Sequence, residues 1–98
     1  MYYFDLATIL KMSRPQRDLN QEWDELRAWV QKNHSKIRLS GVAKEALISQ
    51  EIVTTLLLRE PGTNRITRTW ERLDQLLGVF MLEPFNYQPA WFAALKPK

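Results

Sequence analysis

The sequence has no cysteine, which excludes disulfides, thiolate metal sites and a cysteine nucleophile. Glycine and proline are scarce, three and five in 98 residues. Long stretches free of both favour helices over a turn-rich all-β fold. No apolar run approaches the roughly 20 residues needed to cross a bilayer, so no membrane partner is expected. The opening Met1-Tyr2-Tyr3-Phe4-Asp5 has no basic stretch leading into an apolar one, which is not the pattern of a signal peptide. A chain without cysteine also suits the reducing cytosol, and a cytoplasmic location is expected.

What is present fits a single globular domain: 45% hydrophobic and 26% charged residues in 98. A core of that size is modest, and dimerisation is a common source of added stability. The formal net charge is +3. Its distribution is uneven. Between Lys32 and Arg72 stand eight basic residues against four acidic ones, so the surplus falls in the middle of the chain. Nucleic acid is a natural partner for such a surplus.

Along the chain, Tyr2-Tyr3-Phe4 reads as a short strand entering a helix capped by Asp5. Ser13 to Arg17 reads as a polar connector. Asp18 or Asn20 can cap a helix to about Asn33, with Leu19, Trp23, Leu26 and Val30 as its apolar stripe and Trp29 widening it. The spacing then predicts a helix from Leu39 or Ser40 to about Leu47. Another follows from the cap Ser49 to about Arg59. Pro61-Gly62-Thr63-Asn64 is a loop. Thr67 is expected to cap a helix with Trp70, Leu73, Leu76 and Leu77 on one side, stopped by Gly78 at its C-terminal end. Val79 to Leu82 reads as a strand or extended arm, and Pro89 as the first residue of a short helix over Ala90 to Leu95. Trp23, Trp29 and Trp70 are expected in the core, whereas Trp91 and Phe92 suit either the core or a dimer contact.

The most specific pattern lies between Leu39 and Leu58. Two helices crossing steeply through a tight turn need an apolar residue at the fourth position and a small one at the fifth. The eighth, tenth, fifteenth and eighteenth positions must again be apolar to close the core between them. Counted from Leu39, these positions hold Val42, Ala43, Ala46, Ile48, Val53 and Leu56. This stretch resembles the helix-turn-helix of the lambda-type repressor and Cro family. Thr69-Trp70-Glu71-Arg72-Leu73-Asp74-Gln75-Leu76-Leu77-Gly78 is similar to that family's closing helix. The resemblance runs from about Trp23 to Val79. One departure stands at the ninth position, where the family has glycine and this chain has Leu47. A leucine there is strained if the turn takes a positive φ, so either the turn is built differently or its register shifts.

The resemblance implies an all-α fold: a five-helix lambda-repressor-like domain in which residues 19–79 form the core. Residues 1–18 and 80–98 are then flanking extensions whose short terminal strands can serve dimerisation. Tyr2-Tyr3-Phe4 and Val79-Phe80-Met81-Leu82 are the expected dimer surfaces. It further implies a sequence-specific regulator of transcription, most plausibly a repressor, that binds double-stranded DNA as a homodimer in the cytoplasm, associated with the nucleoid. The helix starting near Gln50 would read the major groove. Base contacts fall to Gln50, Glu51 and Thr55: glutamine pairs with adenine, and glutamate accepts from cytosine. Phosphate contacts fall to Arg38, Ser40, Thr54, Arg59, Asn64, Arg65 and Arg68. An antitoxin paired with a toxin shares the same plan. The other class is a helical protein–protein adaptor without DNA binding, which Leu47 and the acidic Glu51 would suit.

No enzyme constellation is expected. The chain carries no glycine-rich phosphate loop and no nucleophile elbow. His34, its one histidine, reads as a loop or helix-end residue rather than a ligand or base. No metal or cofactor is expected.

Overall fold

The computed structural model describes residues 6–59 and 68–95, and these residues are mostly helical. Six α-helices occur among them: α1 (Leu6–Ser13), α2 (Leu19–Lys32), α3 (Leu39–Ala46), α4 (Gln50–Leu57), α5 (Trp70–Phe80) and α6 (Ala90–Leu95). The spacing along the chain predicts a helix near each of these positions, whereas the resemblance implies five. Short 3-10 turns at Arg14–Gln16 and His34–Lys36 join α1 to α2 and α2 to α3.

Three helices start on side-chain caps that satisfy an orphan backbone N–H. Asp18 accepts from the Gln21 amide at 3.1 Å, Ser49 from Ile52 at 3.3 Å and Thr69 from Arg72 at 3.1 Å. Each such cap stabilises its helix by about 1 kcal/mol. The cap of α5 is therefore Thr69. Thr67, expected in that role, lies outside the described residues, as do Tyr2-Tyr3-Phe4 and Asp5.

The core forms where the apolar stripes converge. Trp23, Leu26 and Val30 of α2 meet Val53 and Leu57 of α4 and Leu73, Leu76, Leu77 and Phe80 of α5, all fully buried. α3 packs on both α4 and α5, α2 packs on α4, and α1 packs on α5. Burying a large apolar side chain contributes about 1.5–3 kcal/mol, so this shared centre holds the bundle together. Trp29 lies at its edge, 5.5 Å from the Phe80 ring and 5.1 Å from Tyr87. Those contacts fasten the segment after α5 to α2.

Two expectations fail at the end of α5. Gly78 does not stop the helix; it lies inside it, and α5 runs on to Phe80. The reason is spacing: Leu73, Leu76, Leu77 and Phe80 recur at three, four and seven residues, one continuous buried face. Burial of Phe80 outweighs the local cost of the glycine. Val79 to Leu82 is accordingly helix and turn rather than a strand, and no strand occurs among the described residues. Within that stretch Phe80 is fully buried, Val79 and Met81 are half-buried, and Leu82 is exposed.

The Ser13–Arg17 connector also differs from its polar reading, because the Arg17 side chain is only 1% exposed. Its guanidinium donates to the Glu22 carboxylate, to the Leu10 carbonyl at 2.6 Å, to Ser13 Oγ at 2.8 Å and to Asp74 Oδ1 at 3.2 Å. Trp91 Nε1 donates to Glu22 Oε1 at 2.5 Å. Burial pushes the Glu22 carboxyl above its ordinary range, although Arg17 opposes the shift. Arg14 completes the group through Asp74 Oδ2 at 2.6 Å. Trp91 therefore belongs to an intramolecular contact that fixes α6.

Candidate nucleic-acid interface

The turn between α3 and α4 determines which side chains the pair presents. Leu47 sits at φ 60°, ψ 37°, in the left-handed region. The Ile48 amide donates to the Ala43 carbonyl at 3.1 Å and Leu47 to Lys44 at 3.4 Å. That reciprocal pair is a Schellman cap, whose left-handed residue is usually glycine. The turn takes the positive φ at Leu47, and leucine bears the strain, about 1–2 kcal/mol for a residue with a Cβ. Nothing pulls the side chain inward, since Leu47 is 85% exposed. Val42, Ala43, Ala46, Val53 and Leu56 are buried beneath the turn, and Ile48 packs half-buried against them.

Helix α4 divides cleanly into two faces. With about 100° of rotation per residue, Gln50, Glu51, Thr54 and Leu58 fall on one arc. Gln50 and Glu51 are exposed, and Thr54 and Leu58 are half-buried. Val53, Thr55, Leu56 and Leu57 are buried. Thr55, expected as a base contact, is therefore on the wrong side: it is 3% exposed. The offset from Glu51 to Thr55 is enough to turn the residue under the helix. Thr54, expected to touch phosphate, lies instead at the middle of the exposed arc.

The other expected contacts are scattered around this helix. Arg38 is exposed at the N-cap of α3, and Ser40 is exposed in its first turn. Arg59 is exposed just beyond α4. Arg68 pairs with Asp24 at 3.2 Å, its side chain 21% exposed. An exposed pair of that kind contributes at most about 1 kcal/mol. Asn64 and Arg65 lie outside the described residues.

One residue bearing on the site had not been singled out from the sequence. Arg27, on the buried face of α2, donates from Nη1 to the Leu56 carbonyl at 2.6 Å. It satisfies a carbonyl in the last turn of α4, where a cation also suits the helix dipole. Burial and the nearby Arg68 pull its pKa below the ordinary arginine value. The sequence does hold a signal: Trp23, Arg27 and Val30 share the spacing of the apolar stripe, so the arginine stands where a core residue belongs.

Among the described residues, no cluster of three or more acidic or histidine side chains could hold a metal, and no helix is long and apolar enough to cross a membrane. Comparison with protein-family models, with curated proteins and with solved structures finds no match to the chain.

Proposed function

We propose that the chain is a sequence-specific DNA-binding regulator of transcription, most plausibly a repressor, in which α3 and α4 form a helix-turn-helix. The observation that carries this reading is the exposed N-terminal arc of α4. It follows a turn with Leu47 in the left-handed region, and its outward side chains are of types suited to base edges. Gln50 can bridge adenine N6 and N7, and Glu51 can accept from cytosine N4. Thr54 adds a methyl and a hydroxyl in the same arc. Ser40 at the N-terminus of α3, with Arg38 and Arg59, supplies groups that can grip phosphates on either side. Asn64 and Arg65 remain expected partners of the backbone, and Arg68 can join them by exchanging Asp24 for phosphate. A two-fold dimer on half-sites about one helical turn apart is the expected assembly.

The test is binding to duplex DNA across a salt series, followed by selection of bound sequences from a random pool. Affinity is expected to fall steeply as salt rises, with a slope that reports several phosphate contacts. The selected sequences are expected to form a palindrome. Absence of binding at low salt would sink the reading.

A further inference from the structure

Two residues on one groove run against local backbone preference. Leu47 holds a left-handed conformation that glycine adopts freely. Gly78 stands inside α5, where alanine would be favoured. A Cβ at Gly78 would meet nothing within 4 Å, so no described neighbour requires the glycine. Both residues line a groove of about 670 Å³ between α1, the α3–α4 turn, α5 and the segment that follows it. Leu47 and Leu82 stand exposed beside it, and the half-buried Val79 and Phe85 form apolar surface within it. The missing side chain at position 78 keeps the groove open, and the strained leucine gives it an apolar edge. Conflicts of this kind gather where function, rather than folding, sets the residue.

The charge of the rim indicates the occupant. Arg14 and Asp74 neutralise one another. The remaining rim charges are Glu45, Glu71 and Glu83 against Lys11, and none of them is in an ion pair among the described residues. On a chain of formal net charge +3, this rim is locally acidic. It repels phosphate and attracts cations.

We infer that the groove is a docking site for an amphipathic helix of a partner protein, apolar along one face and flanked by lysine or arginine. The apolar face lies against Leu47, Val79 and Leu82 in the manner of helix-in-groove recognition. The carboxylates meet the flanking cations and set orientation. This surface shares no residue with the exposed arc of α4, and the inference does not rest on DNA binding.

Two synthetic helices of about 15 residues, near the length at which isolated helices are marginal, serve as probes. They share one leucine face; one carries lysines beside it and the other glutamates. Titrated by fluorescence anisotropy, the lysine helix is expected to bind saturably, and the glutamate helix at least ~10-fold more weakly. Gly78→Leu puts a side chain into the groove, and its Cβ meets nothing within 4 Å. It is expected to keep or raise the melting temperature while weakening the lysine helix at least ~10-fold. Glu45→Lys combined with Glu83→Lys, both at exposed positions, is expected to weaken it as well and to remove its salt dependence. No binding of the lysine helix, equal binding of both helices, or binding that survives Gly78→Leu would overturn the inference.

Discussion

The guanidinium of Arg17 lies 4.5 Å from the ring centroid of Trp91, with the Trp70 ring 5.0 Å away. A charged side chain is thus held between the first residue of α5 and the terminal helix α6, while its N–H groups reach Glu22, Asp74 and the end of α1. The two helices that flank Arg17 and two that are distant in sequence meet at one planar cation. Arginine suits this place because its fork can serve several acceptors while its faces stack on aromatic rings.

Replacing Arg17 with alanine leaves Glu22 without its cation in a buried site. Breaking a buried pair from one side typically costs about 3–5 kcal/mol. For a domain of this size each 1 kcal/mol moves the melting temperature by roughly 4–8 °C, so a fall of more than ~10 °C is expected. Arg17→Lys keeps the charge and loses the fork, and should fall between parent and alanine. Thermal unfolding of the three proteins checks this; an alanine variant within ~1 kcal/mol of the parent contradicts the account.

Tyr87 gives a pH signature at the alkaline end. Burial, with smaller effects from Glu25 and Glu22, pushes its hydroxyl up to about 12 from 10.0. The unfolded chain therefore loses this proton first as pH rises. Between pH 10 and about 12 the folded state holds more protons, so stability falls through that window. Two units correspond to roughly 2.7 kcal/mol. Tyr87→Phe should remove this part of the decline. Urea denaturation of both proteins at pH 9 and pH 11 reads the difference, and parallel losses in the two would rule out Tyr87 as its source.

Leu47 and Gly78 predict gains. Leu47→Gly releases about 1–2 kcal/mol of left-handed strain and returns about 0.5–1 kcal/mol of that in glycine backbone entropy. Leu47 is 85% exposed, so little burial is lost with it. A net gain below ~1 kcal/mol is expected. Gly78→Ala should gain about 1 kcal/mol as an ordinary helix-interior change, since its Cβ meets nothing within 4 Å. Equilibrium unfolding measures both. A loss in either variant would mean that the native residue makes a stabilising contact absent from this arrangement.

The sequence is legible where structure is set locally. The spacing of Val42, Ala43, Ala46, Val53 and Leu56 predicts which residues become buried. Asp18 and Ser49 cap the helices they precede. What could not be read depends on distant partners. Arg17 has local acceptors in Glu22, Leu10 and Ser13, but Trp70, Asp74 and Trp91, which enclose it, lie more than fifty residues away. Glycine often ends a helix, yet Phe80 extends the buried face of α5 beyond Gly78. Arg68 meets Asp24, 44 residues away, only once the chain has folded. Thr55 shows why spacing alone is not enough: four residues from Glu51 keep it near the same face, but the core's position turns it inward.

That last point yields a direct test of how α4 meets DNA. Gln50 and Thr54 share the exposed arc, whereas Thr55 is 3% exposed. If α4 reads the major groove, Gln50→Ala should relax base preference at one position by roughly 1–3 kcal/mol, the value of a bidentate contact. Thr54→Ala should alter preference at a neighbouring position by less. Thr55→Ala should lower the melting temperature through lost packing and leave base preference as it was. Competition binding against duplexes that carry every single-base change in a selected site separates these outcomes. Should Thr55→Ala shift preference while Gln50→Ala and Thr54→Ala do not, the helix docks by another face and the base-contact assignment is wrong.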